Sequence, residues 1–150
     1  SFQLMMNHRV ATCKDEFPFS INEESDGTIR LLDLIPILLD VEGMSRIFII
    51  DELDRSLHPS LSYQLIGRFL QKGNSLGQVI ATSHDANLLD LDLLRRDEIW
   101  FMEKDNTGVS SLYSLEEFSP RYDKDIQKGY LLGRFGAIPI PNYVKLEEQE

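Results

Sequence analysis

Four apolar residues run directly into two adjacent carboxylates and then a third in RIFIIDELDRSLHP, residues 46–59. In an open α/β sheet, ligands sit beyond the carboxyl ends of the strands, which is where Asp51 and Glu52 emerge if IFII is a strand. Asp51 could hold Mg²⁺ directly or through water, because that ion favours one or two carboxylates plus substrate phosphates. Glu52 could then polarise an attacking water. The bland alternative is a solvated, acidic strand terminus. A second strand-like run, VIATSHD (residues 79–85), also ends on a functional side chain, His84. A neutral imidazole can hydrogen-bond a phosphate oxygen or the attacking water. A lone histidine is more often structural, but two strand ends with compatible groups and a helix between them favour chemistry, and neighbouring strands would bring His84 close to Glu52. The third stretch is ESDGT, residues 24–28, at the start of an apolar-periodic segment. A helix N-terminus offers unpaired N–H groups to phosphate; Gly27 permits close backbone approach and Ser25 adds a hydroxyl. The alternative there is a capping segment with no ligand, and Asp26 opposes an anion.

The elements that must position these groups follow from periodicity. Residues 2–19 alternate irregularly and suggest one or two short strands. Apolar residues at 29, 31, 32, 34, 35, 38 and 39 fit a mostly buried helix, with Ser25 or Asp26 as N-cap and a kink or early stop at Pro36. IFII and QVIATS read as strands buried on both faces, with a helix over about 60–71 between them, broken by GNSLG. ANLLDLDLL looks like a short helix, and residues 98–115 read as a hairpin turning at 105–108. Strand, helix, strand, helix, strand is the rhythm of an α/β sheet.

Composition sets the frame. One hundred and fifty residues, 42% of them hydrophobic, suffice for one globular domain. No apolar run approaches a membrane span and the opening lacks signal-peptide character, so a cytoplasmic protein with no membrane partner is expected. The single cysteine, Cys13, forms no internal disulfide, in keeping with a reducing compartment. A net charge of −10 argues against this chain as the main grip on nucleic acid. Arg95 and Arg96 read as a solvated pair, and the closing KLEEQE as a frayed end.

ESDGT, IFIIDELDRSLHP and VIATSHD, in that order, resemble the signature motif, Walker B strand with D-loop, and switch histidine of an ABC-type ATPase head. The chain is more closely similar to the SMC-like and OLD-like ATP-binding proteins of the AAA-family ATP/GTP phosphatases. RRDEIWFMEKDNTGVSSLYSLEEF and KGYLLGRFGAIP match stretches of that family, so the resemblance covers about residues 8–139. It implies the C-terminal part of a P-loop NTPase: an α/β fold with a mainly parallel central sheet, helices on its faces and a C-terminal β-hairpin. It further implies that Asp51 is the Walker B acid on Mg²⁺, Glu52 the general base, and His84 the switch histidine. Asp54 falls in the D-loop, which crosses the dimer interface of such heads. Ser25, Asp26 and Gly27 match the signature loop, which contacts the γ-phosphate of ATP held by the opposite subunit. ESDGT departs from LSGGQ, with Asp26 at the first glycine's place and Thr28 at the glutamine's. His58 and Pro59 recur in related families without an evident role.

A Walker A loop requires G-x-x-x-x-G-K-[ST], and the chain contains no Gly-Lys dipeptide. The chain therefore reads as part of a longer protein whose phosphate-binding loop lies upstream, and by itself it is expected to turn over no ATP. The expected whole is a homodimer that sandwiches ATP and Mg²⁺ and is coupled to a DNA-repair or phage-defence partner, such as a nuclease or nucleic acid reached through the missing part. Two other readings stand beside it. One is a metal-dependent, Toprim-like nuclease gathering metal ions with Asp51, Glu52, Asp54 and Asp85. The other is a degenerate, non-hydrolytic interaction module.

Overall fold

The computed structural model describes residues 4–9, 16–40, 46–71, 77–118 and 125–138. The chain divides into two compact units, Ser1–Asp85 and Ala86–Glu150. Among the described residues the architecture is mixed α/β, with three separate two-stranded sheets. These residues do not form one mainly parallel sheet, because only one of the three pairs is parallel.

In the first unit, β1 (Met5–Arg9) and β2 (Glu16–Ser20) pair antiparallel, with His8 opposite Phe17. A 3-10 turn, Ile21–Glu23, follows at once and is closed by a capping box with Ser20. Helix α1 (Asp26–Asp40) begins where the Ser25 hydroxyl accepts the Thr28 N–H at 3.2 Å, as the cap reading required. The helix does not stop at Pro36. Proline removes one intrahelical bond, but buried Leu34 before it and the half-buried Ile37 and Leu38 after it keep an apolar face packed across the defect.

Strands β3 (Ile47–Ile50) and β4 (Gln78–Ala81) pair in parallel, Ile47 beside Gln78 through Ile50 beside Ala81. Helix α2 (Pro59–Gln71) lies between them in sequence and buries Ser62, Leu65 and Phe69, a three-and-four spacing that marks one face. Its start also gives His58 a role. The His58 ring Nδ1 accepts the Ser60 N–H at 3.2 Å and lies 2.7 Å from the Ser60 hydroxyl, while Pro59 takes the first helical position. The expectation that β3 and β4 are buried on both faces is not met. Side chains alternate along a strand, so Phe48, Ile50 and Val79 share the better buried face, while Ile47, Ile49 and Ile80 are 64%, 78% and 48% exposed.

In the second unit, ANLLDLDLL forms only a 3-10 turn, Ala86–Leu88, followed by a non-helical turn. The Asp90 carboxylate takes the Asp92 N–H at 2.9 Å, the local bond by which aspartate competes with a helix. Strands β5 (Trp100–Lys104) and β6 (Ser110–Ser114) pair antiparallel. In their turn the Asp105 carboxylate accepts from the Thr107 hydroxyl at 2.7 Å and from the Val109 N–H at 2.9 Å, contacts that hold its pKa below the usual range. Arg95 is exposed and pairs with Asp97, but Arg96 is not a solvated partner to it. Arg96 is half-buried and donates to the carbonyls of Leu115 and Phe118 at 2.9 and 2.7 Å. The core joins Ile99, Phe101, Leu115, Phe135 and Ile126, the last from helix α3 (Ile126–Leu131). Among the described residues no helix is long and apolar enough to cross a membrane. Cys13, most of GNSLG and KLEEQE lie outside the described residues.

Tyr113 locks this core to the turn after α3. Its hydroxyl donates to the Phe135 carbonyl at 2.7 Å, and Gly136 is required twice over, by its φ of 71 and because a Cβ there would lie 2.5 Å from the Tyr113 hydroxyl. Burial, with the Glu103 carboxylate beside it, pushes the Tyr113 phenol up to about 12. Between its ordinary pKa of 10 and that value, the unfolded chain loses a proton that the folded chain keeps, so stability falls as pH rises. Urea unfolding at a series of pH values from 9 upwards (~9 to 12) is expected to show this decline, and Tyr113→Phe to remove its share of the slope.

Candidate functional site

The site is built from the ends of β3 and β4. Parallel pairing puts Ile50 beside Ala81, so the next residues, Asp51 and Thr82, leave the sheet together. Main-chain bonds continue past the strands: the Thr82 N–H donates to the Ile50 carbonyl at 3.0 Å and the Leu53 N–H to the Thr82 carbonyl at 2.9 Å. The Thr82 hydroxyl then donates to Asp51 Oδ1 at 2.5 Å and accepts the Glu52 N–H at 2.9 Å. One side chain thus orients the first acid and fixes the backbone of the second. Among the described residues no hydrogen bond reaches Asp51 Oδ2, and Asp51 and Glu52 are both exposed.

Glu52 adopts a left-handed backbone, φ 49, and starts a tight turn that ends at Ser56, φ 60. Leu53 is wholly buried within the turn and anchors it. Arg55 reaches only to 4.0 Å of the Glu52 carboxylate, and both side chains are largely exposed, so this pair constrains little. Asp54 is half-buried and its carboxylate accepts the His84 N–H, at 3.3 Å to Oδ1 and 3.4 Å to Oδ2. The backbone after β4 is therefore tied to the turn after β3. Among the described residues no hydrogen bond joins the His84 imidazole to Glu52; the ring is exposed.

Loop 24–28 comes to the same place. A Cβ on Gly27 would lie 2.9 Å from the Ser56 carbonyl oxygen, so only glycine lets the start of α1 pass this close to the turn. Ser25 caps α1, and its hydroxyl lies 2.9 Å from that of Thr28. Asp26 is exposed at the first turn of the helix, where the dipole favours a negative charge. Arg30, one turn on, donates to the carbonyls of Asp51 at 2.9 Å and Glu52 at 2.7 Å.

The candidate residues of the three motifs therefore gather at one end of β3–β4, His84 joining them through its backbone N–H. Two contributors were not read from sequence. Thr82 looks like an ordinary β-branched strand residue, and only the register reveals that it faces Asp51. Arg30 has no signal beyond its place three residues after Gly27 on the same helix face. Among the described residues, no three His, Cys, Asp or Glu side chains gather as a metal-holding group. One exposed carboxylate at the strand end suits an ion that shares its shell with phosphates and water.

Comparison with known proteins agrees with this reading at the level of family. The family model described as "AAA domain, putative AbiEii toxin, Type IV TA system" matches residues 13–90, which is 78 of the 150 residues. The match contains loop 24–28, the turn after β3 and the end of β4. No curated protein matches the chain. The chain belongs to this family of AbiEii-toxin-like AAA domains, which are ATPase domains of the P-loop type.

Proposed function

We propose that this chain is the C-terminal portion of a cytoplasmic ABC-type ATPase head of the SMC-like and OLD-like kind, which dimerises around ATP and hydrolyses it. The observation that carries the reading is the paired strand end, where Thr82 orients Asp51 and fixes the main chain of Glu52. The exposed face made by Ile47, Ile49 and Ile80 adds support, because parallel strands are almost always covered on both faces. In this reading that face is completed by the segment carrying the phosphate-binding loop, and β3–β4 belong to a larger parallel sheet.

The chain's own groups then divide the work. Asp51 would hold Mg²⁺, which when bound would supply positive charge against the phosphates. Glu52 accepts the proton of the attacking water, and its exposure leaves it reachable by that water. His84 hydrogen-bonds the γ-phosphate of the same site. Ser25 and the backbone at Asp26 and Gly27 face the γ-phosphate held by the partner subunit, and Asp54 lies in the loop that crosses between subunits. Catalysis of this kind is mostly positioning and charge stabilisation, which is what a rigid strand end provides. Release of the γ-phosphate frees the dimer and passes the change to a partner, for which DNA repair and phage defence are the proposed settings.

The test uses the complete protein that carries this chain. Glu52→Gln is expected to lower ATP turnover about 10²–10⁴-fold while retaining ATP-dependent dimers seen by sedimentation. Unchanged hydrolysis would remove Glu52 from its role, and a wild-type protein that binds ATP without turnover would favour the degenerate interaction module. A second measurement probes the strand end. Thr82→Val keeps the shape but removes both hydroxyl bonds, and is expected to raise the Mg²⁺ concentration needed for half-maximal turnover about 10–100-fold. A Mg²⁺ dependence identical to wild type would show that Asp51 needs no such support.

A further inference from the structure

Three carboxylates, Glu23, Glu24 and Asp26, fall within residues 23–26, at the entry to the loop that the proposed function sets against a phosphate. Like charge at that position opposes the ligand. Two of the three are engaged by protein donors. Glu23 accepts the Ser20 N–H at 2.7 Å as part of the capping box. Glu24 is the more constrained: its side chain is only 5% exposed, and Oε1 accepts from His8 Nε2 at 2.5 Å. A carboxylate so far from water is costly unless it is hydrogen-bonded. His8 supplies that bond from β1, sixteen residues earlier, and is itself held by the edge of Phe19, with ring centroids 4.9 Å apart. The main chain reinforces the link, since the Ile21 N–H donates to the Leu4 carbonyl and the Glu24 N–H to the Ile21 carbonyl, both at 3.3 Å. Glu24 directly precedes Ser25, whose hydroxyl caps α1.

We propose that His8 is a positioning residue for loop 24–28: its bond to Glu24 sets the loop's approach to the partner subunit's nucleotide and keeps the Glu24 charge away from the phosphate. The inference rests on the ATP-sandwich reading of that loop. It assigns the β1–β2 hairpin a part in dimer formation rather than in nucleotide binding by its own subunit.

The experiment compares variants of the complete protein in a Glu52→Gln background, with ATP-dependent dimerisation followed by sedimentation and monomer binding followed with a fluorescent ATP analogue. His8→Ala is expected to weaken dimerisation about tenfold, the effect of one hydrogen bond to a charged group, with monomer binding unchanged. His8→Gln, which keeps an N–H donor, is expected to recover most of the loss. Arg9→Ala removes the exposed Arg9–Glu16 ion pair of the same hairpin, 2.7 Å long, and is expected to behave like the parent. His8→Asn, whose shorter side chain keeps its N–H out of reach of Glu24, serves if His8→Ala melts below the assay temperature; it too is expected to weaken dimerisation. Dimerisation by His8→Ala or His8→Asn equal to the parent's, or a loss equally large in Arg9→Ala, overturns the proposal while leaving the ATPase reading intact. A parent that binds ATP but never dimerises overturns both.

Discussion

The hydrogen bonds centred on Thr82 are the constraint from which the rest of the site follows. Two parallel strands fix their partners through evenly spaced main-chain bonds, and here that ladder continues past the last strand residues, to Thr82 and Leu53. The hydroxyl adds a bond to the Asp51 carboxylate and one from the Glu52 N–H. Neither acid is held in place by burial, because both are exposed. Their geometry is inherited from β3, β4 and the buried Leu53 below them. A hydrogen bond to a charged group contributes about 1.5–3 kcal/mol, so the bond to Asp51 weighs more than its neutral neighbours.

The same turn is gripped from the other side by α1. Gly27 passes under the Ser56 carbonyl, and Arg30 holds the carbonyls of Asp51 and Glu52. Loop 24–28 and the two acids are therefore parts of one rigid arrangement within the first unit. The turn after β3 and the start of α1 are thus joined by a close backbone approach at Gly27 and by the two hydrogen bonds of Arg30. The His8–Glu24 bond extends the arrangement to the β1–β2 hairpin.

Some of this could be read directly from residue types. Short-range signals dominate where the sequence was legible: the helix cap at Ser25, the extent of α2, and the apolar run of β3 depend on neighbours a few residues away. Where the reading went astray, a competing interaction explains it. Asp90 captured a backbone N–H and cut short the expected helix at 86–94, and Pro36 was outweighed by packing around Leu34. Burial on both faces of β3 was inferred from composition, but composition cannot say which atoms cover a strand. Arg30, Thr82 and His8 escaped notice because each acts on a residue sixteen to thirty-one positions away. An AAA domain of the P-loop ATPase type was legible for a different reason, since three motifs in a fixed order carry more information than any one of them.

The left-handed backbone at Glu52 has a thermodynamic consequence. A non-glycine residue at such a φ costs about 1–3 kcal/mol, against a total stability of roughly 5–15 kcal/mol for a domain. A glycine at position 52 would relax the turn and strengthen the fold, yet it would remove the one side chain proposed to accept a proton. Selection for stability and selection for turnover thus pull on this residue in opposite directions. If a lineage no longer needed hydrolysis, loss of the carboxylate would be downhill for folding, and the activity would be among the first features to decay.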